Sequence, residues 1–517
     1  MTTNQENLIF AAINRANALI DYNIYNNMQK SHEFRMQTVL ADKSLTDDDK
    51  IKAVRILNEN YDRNKVLFDS ETKRVCENCN QECLATLYCE CCIQNYLKTN
   101  LSNWSSGNSS IDNLIRECQA KALHPEMIIE WIPYINLQNV KYLTKGGFSK
   151  IYTADWVDGR YDEWDSKELQ LKRIGFIEVI LKELQNVENA NQSWYEEAKS
   201  HLTISNKWAH IVKCFGLTQN PSNGIYMLVM HKADIDLRKY LRQTQNQLTW
   251  REKVKIIDDI ASALSVIHSE NAIHRDLHSG NILYTQINQN WYISDLGFCG
   301  PADKPSTSIY GNLPYIAPEV LKGNEYTSKS DVYSIAMLMW EISSGQPPFN
   351  NYEHDYYLAM NIIKGMRPKI VPETPLKYKS LMKQCWDADP SKRPNTGIIM
   401  YLVKDLLNKL AQPDNLENGA DGLKINYTSD ELFKSKIYQF ENLPEPRNAT
   451  EEEQEAFHSK SHNSNISDDS KDFIKLYDDF NSLSNASTSE ASGILKNMSE
   501  RLSKVFKKLQ INSNDGK

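Results

Sequence analysis

The sequence lacks any run of about 18 apolar residues, so no stretch of it reads as a membrane-spanning helix. It lacks a basic-then-apolar start. Met1-Thr2-Thr3-Asn4-Gln5-Glu6-Asn7 has no signal-peptide character, so a cytoplasmic setting is expected, with the nucleus left open. It also lacks an excess of positive charge. The 59 Lys and Arg face 67 Asp and Glu, for a net charge of −8, which argues against general binding to nucleic acid or anionic membranes. No internal repeat is visible. What remains is ordinary for a globular protein, 40% apolar and 24% charged residues. The 517 residues are enough for roughly two to four domains.

Cysteine is scarce except in one place. Of ten, six lie between Cys76 and Cys92. The scattered Cys118, Cys214, Cys299 and Cys385 read as inert, buried thiols of a reducing compartment. Cys76-x-x-Cys79 and Cys89-x-x-Cys92 offer four soft ligands in two tight turns, the pattern a tetrahedral Zn²⁺ site needs. Cys83 and Cys91 are additional thiols, so which four of the six bind is open. The alternatives are reduced thiols packed under a helix, or a redox switch. With only Leu84, Leu87 and Tyr88 as a local core, the segment 76–92 needs the metal to fold. It reads as a structural or protein-binding module, and nothing in it points to nucleic acid.

Residues 1–75 read as helical. Leu8, Ile9, Ala12, Ile13, Ala16, Leu19 and Ile20 recur at helical spacing. Ser44-Leu45-Thr46 followed by three aspartates marks a second helix start, continued by Ile51, Val54, Ile56 and Leu57. Residues 93–136 read as a helical connector with a loop at 103–110. From 137 to 411 strand-like runs give way to amphipathic helices, for example Val254, Ile257, Ile260, Ala261, Leu264 and Ile267. After Pro413 the composition turns to Asn, Ser, Glu, Asp and Lys, so 412–517 is expected to be a mostly disordered tail. Its end differs. Residues 494–510 form one apolar face (Ile494, Leu495, Met498, Leu502, Val505, Phe506, Leu509) beside Lys496, Arg501, Lys504, Lys507 and Lys508, a helix for docking on a partner or on its own chain, with a membrane-surface or calmodulin-type helix as the sharper alternative.

The chemistry lies in 137–411. His274-Arg275-Asp276-Leu277-His278-Ser279-Gly280-Asn281 precedes Asp295-Leu296-Gly297 and Ala317-Pro318-Glu319. Upstream stand Lys145-Gly146-Gly147-Phe148-Ser149-Lys150-Ile151-Tyr152 and Val179-Ile180-Leu181-Lys182. Downstream come Asp331-Val332-Tyr333-Ser334, Gly345-Gln346-Pro347-Pro348-Phe349 and Cys385-Trp386 with Arg393-Pro394. As an ordered set these resemble the protein kinase superfamily, and the last words its tyrosine-kinase-like branch. The resemblance implies an α+β, bilobal kinase fold with a β-rich N-terminal lobe and an α-helical C-terminal lobe. It further implies transfer of the γ-phosphoryl of Mg-ATP to protein hydroxyls.

Carried onto this chain residue by residue, the resemblance assigns roles. Thr144 to Ser149 would form the phosphate loop: Thr144, Lys145, Gly146, Gly147, Phe148 and Ser149. Ile151, Ile180, Met230, Leu283 and the backbone of His231 and Ala233 would hold adenine. Lys182 would grip the α- and β-phosphates and pair with Glu197, with Glu196 as the neighbouring alternative. Asp276 would orient the attacking hydroxyl. Asn281 and Asp295 would bind Mg²⁺, with Mn²⁺ as a substitute. Ser306, Thr307, Ser308 and Tyr310 are candidate activation-segment phosphoacceptors, and Arg275 the partner of a phosphate there.

The departures matter. The first and third loop glycines of the family are Thr144 and Ser149 here. Ile180 replaces a family alanine and would press on adenine. His278 stands where serine/threonine kinases place a lysine, and an ordinary imidazole titrates near neutrality. Asn312 stands where they place threonine. The stretch from Gly159 to Glu178 is longer than usual and reads as an insertion between two strands. These features leave serine/threonine against tyrosine specificity open. They also keep a second reading in view, a pseudokinase scaffold that binds partners through the kinase fold, the zinc module and the tail. A small-molecule phosphotransferase fits less well, because Ala317-Pro318-Glu319 and the Asp331 segment belong to protein kinases. The substrate, the upstream signal, the oligomeric state and any inhibitory role of the tail are not legible.

Overall fold

Helices α1 (Thr3–Ala18), α2 (Met28–Ala41) and α3 (Asp47–Phe68) open the computed structural model of the chain. It describes residues 3–461 apart from 22–23, 69–72, 101–103, 147–148, 186–193, 245–246, 302–308, 411–432 and 441–442. Ile9, Ala12, Ile13 and Ala16 lie on one face of α1 and pack with Val39, Leu45, Ala53 and Leu57. Leu8, Leu19 and Ile51, which share the predicted stripes, are instead exposed, at the margins of these faces. Thr46 caps α3, its hydroxyl donating to Asp49 at 2.6 Å and accepting from the Asp49 N–H at 3.2 Å.

A short hairpin, β1 (Arg74–Val75) and β2 (Glu82–Cys83), leads into α4 (Glu90–Asn100) and α5 (Ser109–Ala120). Next comes β3 (Glu130–Trp131), inside the stretch expected to be a helical connector. Two residues carry no periodicity to read, so pairing alone reveals this strand. The sheet continues with β4 (Leu137–Lys145) and β5 (Lys150–Trp156). A separate hairpin, β6 (Tyr161–Asp165) and β7 (Gln170–Arg173), precedes β8 (Ile177–Glu183), helix α6 (Trp194–Ile204), β9 (Cys214–Gln219) and β10 (Tyr226–His231). The six-stranded order is β3-β9-β10-β8-β5-β4, so β8 sits between β10 and β5, with Lys182 opposite Leu228 and Ile151.

The β6–β7 hairpin occupies the stretch that reads as an insertion, and it has a packing role. Trp164 and Leu171 share a core with Cys76, Cys83, Cys89, Cys92 and Ile93, so the cysteine-rich segment packs on the hairpin that follows β5. A buried ionic junction ties the same parts. Glu126 pairs with Arg63 of α3, with Arg160 beside the hairpin at 2.9 Å and with Lys213 beside β9 at 2.5 Å. Burial opposes the charge on Glu126, but Lys213 and the two arginines outweigh it and hold the carboxyl well below the usual carboxylate range.

The helical half follows: β11 (Ile235–Asp236), α7 (Leu237–Thr244), α8 (Trp250–Ser269), β12 (Ala272–Ile273), β13 (Ile282–Thr285), β14 (Asn290–Ile293), β15 (Gly300–Pro301), β16 (Ile309–Gly311), α9 (Pro318–Leu321), α10 (Ser328–Ser344), α11 (Tyr356–Ile363), α12 (Leu376–Cys385) and α13 (Thr396–Leu410). A capping box between Thr249 and Glu252 starts α8, whose Val254, Ile257, Ile260, Ala261, Leu264 and Ile267 are all buried. Arg393 and Glu319 form a buried two-pronged ion pair, both contacts 2.7 Å. The architecture is thus the α+β, bilobal one, β-rich first and helical second. Beyond it, β17 (Lys436–Tyr438) pairs with β16. Helix α14 (Glu451–Ser461) belongs to a separate unit, 449–517. The expected helix 494–510 lies outside the described residues. Among the described residues no helix is long and apolar enough to cross a membrane.

Candidate active site

Pairing of β8 with β5 and β10 carries Lys182 to the cleft end of the sheet, and α6 brings Glu197 to it. The Lys182 Nζ lies 2.8 Å from Glu197 and 2.5 Å from Asp295. Of the two neighbouring glutamates it is Glu197 that faces the lysine, because one residue on a helix turns the side chain by about 100°. Burial by itself pulls the Lys182 pKa down. The Asp295 and Glu197 carboxylates outweigh it and hold the ammonium above its ordinary pKa. Burial likewise opposes ionisation of Asp295, and Lys182 overrides it, keeping that carboxyl charged.

Asp295 adopts a left-handed backbone (φ 56°), unusual for a residue with a side chain. Its Oδ1 accepts from the Gly297 N–H at 3.1 Å, and the next amide, Leu296 N–H, donates to His201 Nε2 at 3.2 Å. His201 is a structural residue that no motif flags. Asp331 braces the 274–281 segment, accepting from the N–H groups of His274 (2.9 Å) and Arg275 (3.0 Å). Asn281 donates from its amide nitrogen to the Asp276 carbonyl at 2.9 Å, which makes its amide oxygen the end available to a cation. Burial, and then the nearby Asp295 carboxylate, push the Asp276 carboxyl up to about 7.

Around the expected adenine position, Ile180, Met230 and Leu283 belong to one apolar cluster. The His231 N–H is taken by the Lys213 carbonyl at 2.9 Å. Gly146 N–H closes the turn onto the Ser149 carbonyl at 2.8 Å, and Thr144 pairs with Ile151 across β4 and β5. Gly147, Phe148, Ser306, Thr307 and Ser308 lie outside the described residues. Tyr310 is described, and it is buried, stacked on Phe298 and hydrogen-bonded to Asp276.

One expectation is corrected. His278 does not titrate near neutrality: burial first, then the Arg238 cation, hold it down at about 3, so the ring is neutral. Its Nδ1 accepts from Gly280 N–H at 3.0 Å. The site also contains a residue that sequence reasoning missed. Ser435, from the tail, donates its hydroxyl to Asp276 Oδ1 at 2.9 Å and lies 3.1 Å from His278 Nε2. The one sequence signal there was aromatic: Phe433, Tyr438 and Phe440 stand close together in an otherwise aliphatic-poor tail.

The cysteine cluster is a second candidate site. The thiols of Cys76, Cys79, Cys89 and Cys92 all lie within 4.8 Å of one another. Two pairs are closer, Cys76 to Cys92 at 3.8 Å and Cys79 to Cys89 at 3.6 Å. A tetrahedron of Zn–S bonds of about 2.3 Å has edges of about 3.8 Å, so this donor set fits zinc. Cys83 and Cys91 fall outside that four.

A lysine shared by two carboxylates across a sheet-to-helix cleft, beside a braced Asp–Asn loop, is the side-chain arrangement expected of a protein kinase domain. The model of the protein tyrosine and serine/threonine kinase family matches residues 137–403, slightly more than half of the chain, and the chain belongs to that family. It is 27% identical over 298 residues to the probable serine/threonine-protein kinase roco7 of Dictyostelium discoideum, covering 55% of this chain and 11% of that one. It is 34% identical over 195 residues to the probable serine/threonine-protein kinase roco8 of the same organism, covering 35% and 10%. It is 32% identical over 193 residues to the human dual serine/threonine and tyrosine protein kinase, covering 37% and 20%. The matches thus span about a tenth to a fifth of these relatives.

Proposed function

We propose that this chain is an active kinase that transfers the γ-phosphoryl of Mg-ATP in line to serine or threonine hydroxyls of proteins, in intracellular signalling in the cytoplasm. The observation that carries this reading is the Lys182 ammonium held at 2.8 Å from Glu197 beside a charged Asp295. Lys182 grips the α- and β-phosphates, and Glu197 keeps it in position. Asp276 orients the acceptor hydroxyl and takes its proton. Asn281 and Asp295 offer the oxygen ligands that Mg²⁺ prefers, and Mg²⁺ when bound neutralises charge on the phosphates. Ile180, Met230 and Leu283 enclose adenine, with the His231 carbonyl and Ala233 backbone as its polar contacts. The names of the relatives favour serine and threonine, while the human relative's name keeps tyrosine as an alternative acceptor.

The cysteine-rich segment is a structural zinc module in this reading, held by Cys76, Cys79, Cys89 and Cys92. It and the helix expected at 494–510 are the surfaces for protein partners.

The test is transfer from γ-labelled ATP with Mg²⁺ to a mixed peptide pool, comparing wild type with Asp276→Asn and Asp295→Ala. Label on phosphoserine or phosphothreonine, lost in both variants, is the expected result. Nucleotide binding without any transfer would sink this reading in favour of a pseudokinase scaffold.

A further inference from the structure

Residues 433–440 cross the acceptor side of the site as an added strand. Tyr438, Ile437 and Lys436 of β17 pair antiparallel with Ile309, Tyr310 and Gly311 of β16, in the activation segment. One residue before the strand, Ser435 is buried against Asp276. Both flanks are clamped. The Phe433 carbonyl accepts from Asn312 Nδ2 at 2.6 Å and from Arg238 Nη1 at 3.3 Å, and its buried ring lies 5.0 Å beneath the Arg238 guanidinium. Further on, Phe440 stacks on Tyr438, Glu445 pairs with Lys322, and Arg447 N–H donates to the Ile363 carbonyl at 3.0 Å.

The group presented to Asp276 is the one the proposed reaction consumes, a primary hydroxyl, and its hydrogen bonds have a direction. His278 accepts at Nδ1, so its single proton is on Nε2 and is donated to Ser435 Oγ. Oγ in turn donates to Asp276. The hydroxyl proton therefore points at the base.

We propose that Ser435 is the chain's own phosphorylation site, presented in cis by a strand that fills the acceptor groove until it is modified. This rests on the kinase reading above. Ser435 Oγ forms a bond to the γ-phosphorus of ATP. The bond from that phosphorus to the bridging oxygen breaks, ADP leaves with the electron pair, and the hydroxyl proton passes to the Asp276 carboxylate. The product carries close to two negative charges beside Asp276 and near Asp295, where like-charge repulsion in a poorly solvated cleft expels it. Phosphorylation thus clears the groove for other substrates. Tyr310 also hydrogen-bonds Asp276, but the Tyr326 hydroxyl holds both its N–H (2.9 Å) and its carbonyl (2.5 Å), fixing it as a wall of the site.

The experiment uses full-length, phosphatase-treated protein with Mg-ATP and a serine peptide, followed by mass spectrometry. Expected are phosphate on Ser435 at a rate independent of protein concentration, and a lag in peptide phosphorylation that ends as Ser435 fills. Ser435→Ala should stay slow. Phe433→Ala, which loosens the clamp, should show no lag. If the strand is bound nine-tenths of the time, its release raises the peptide rate about tenfold. Peptide phosphorylation with Ser435 bare, phosphate on Tyr310 instead, or a concentration-dependent rate at Ser435 would each overturn the proposal while leaving the kinase reading standing. Phosphate on neither chain nor peptide would overturn both.

Discussion

The Lys182 ammonium stands 2.8 Å from the Glu197 carboxylate, a contact that joins the central strand of the sheet to helix α6. Both side chains are almost fully buried, so the pair is screened little by solvent. Glu197 also has a rival. Asp295 lies 2.5 Å from the same ammonium. Removing the Glu197 charge leaves Lys182 tied to the carboxylate expected to bind Mg²⁺. Glu197→Gln, which preserves shape, should therefore lower kcat/KM for ATP about 10- to 100-fold, about 1.4–2.8 kcal/mol of transition-state stabilisation. It should also raise the Mg²⁺ concentration needed for half-maximal rate. Steady-state kinetics across an Mg²⁺ series checks both, and unchanged values would show that Lys182 does not depend on Glu197.

What the sequence disclosed and what it hid follow one rule. Asp276, Asn281 and Asp295 were legible because backbone-rigid loops keep such residues in contiguous words. Lys182 was legible from its strand, but the choice between Glu196 and Glu197 needed the rotation of α6. The role of the 161–173 hairpin was hidden, since only packing shows Trp164 and Leu171 against the cysteine-rich segment. Ser435 was hidden for a stronger reason. Its contact with Asp276 spans 159 positions and passes through β17, a three-residue strand. The His278 error has the same origin. Residue type gives an ordinary pKa, whereas the fold sets the burial that moves it.

The four-thiol cluster predicts a metal content. Purified protein should carry one zinc per chain by elemental analysis. Cys79→Ser and Cys89→Ser should lose it, while Cys83→Ser and Cys91→Ser should keep it, since those two thiols fall outside the four that converge. Cobalt exchanged into the site should give the strong visible absorption of tetrahedral thiolate coordination. Chelation should lower the thermal midpoint, because the four thiols that hold the β1–β2 hairpin to the start of α4 would lose their shared ligand. Zinc retained in all four variants would contradict the assignment.

The acid sensitivity of the fold turns on His124. This ring is buried, packs edge-on against Tyr88 at 5.2 Å, and accepts at Nδ1 from Glu126 N–H at 3.1 Å. Burial is the largest influence on it. Glu126 pulls its pKa up, while Arg63, Lys213 and Arg160 push it down, and the balance is a pKa of about 3. The ordinary value is 6.5. A histidine held neutral in the folded state gains protons only on unfolding, so its stabilisation is complete above pH 6.5 and shrinks as pH falls from there toward 3. At pH 5 the loss amounts to about 2 kcal/mol for one such group. The Glu126 carboxyl, held low by the same cations, contributes its own loss only below the ordinary carboxylate range, so the two windows are separable. His124→Gln keeps an acceptor for the Glu126 N–H but has no proton to take up. Unfolding free energies measured at pH 7.5 and 5.0 should therefore converge in this variant by about 2 kcal/mol relative to wild type. Equal pH sensitivity in the two proteins would mean that His124 is already protonated in the fold, and that the junction around Glu126 accommodates a fourth positive charge.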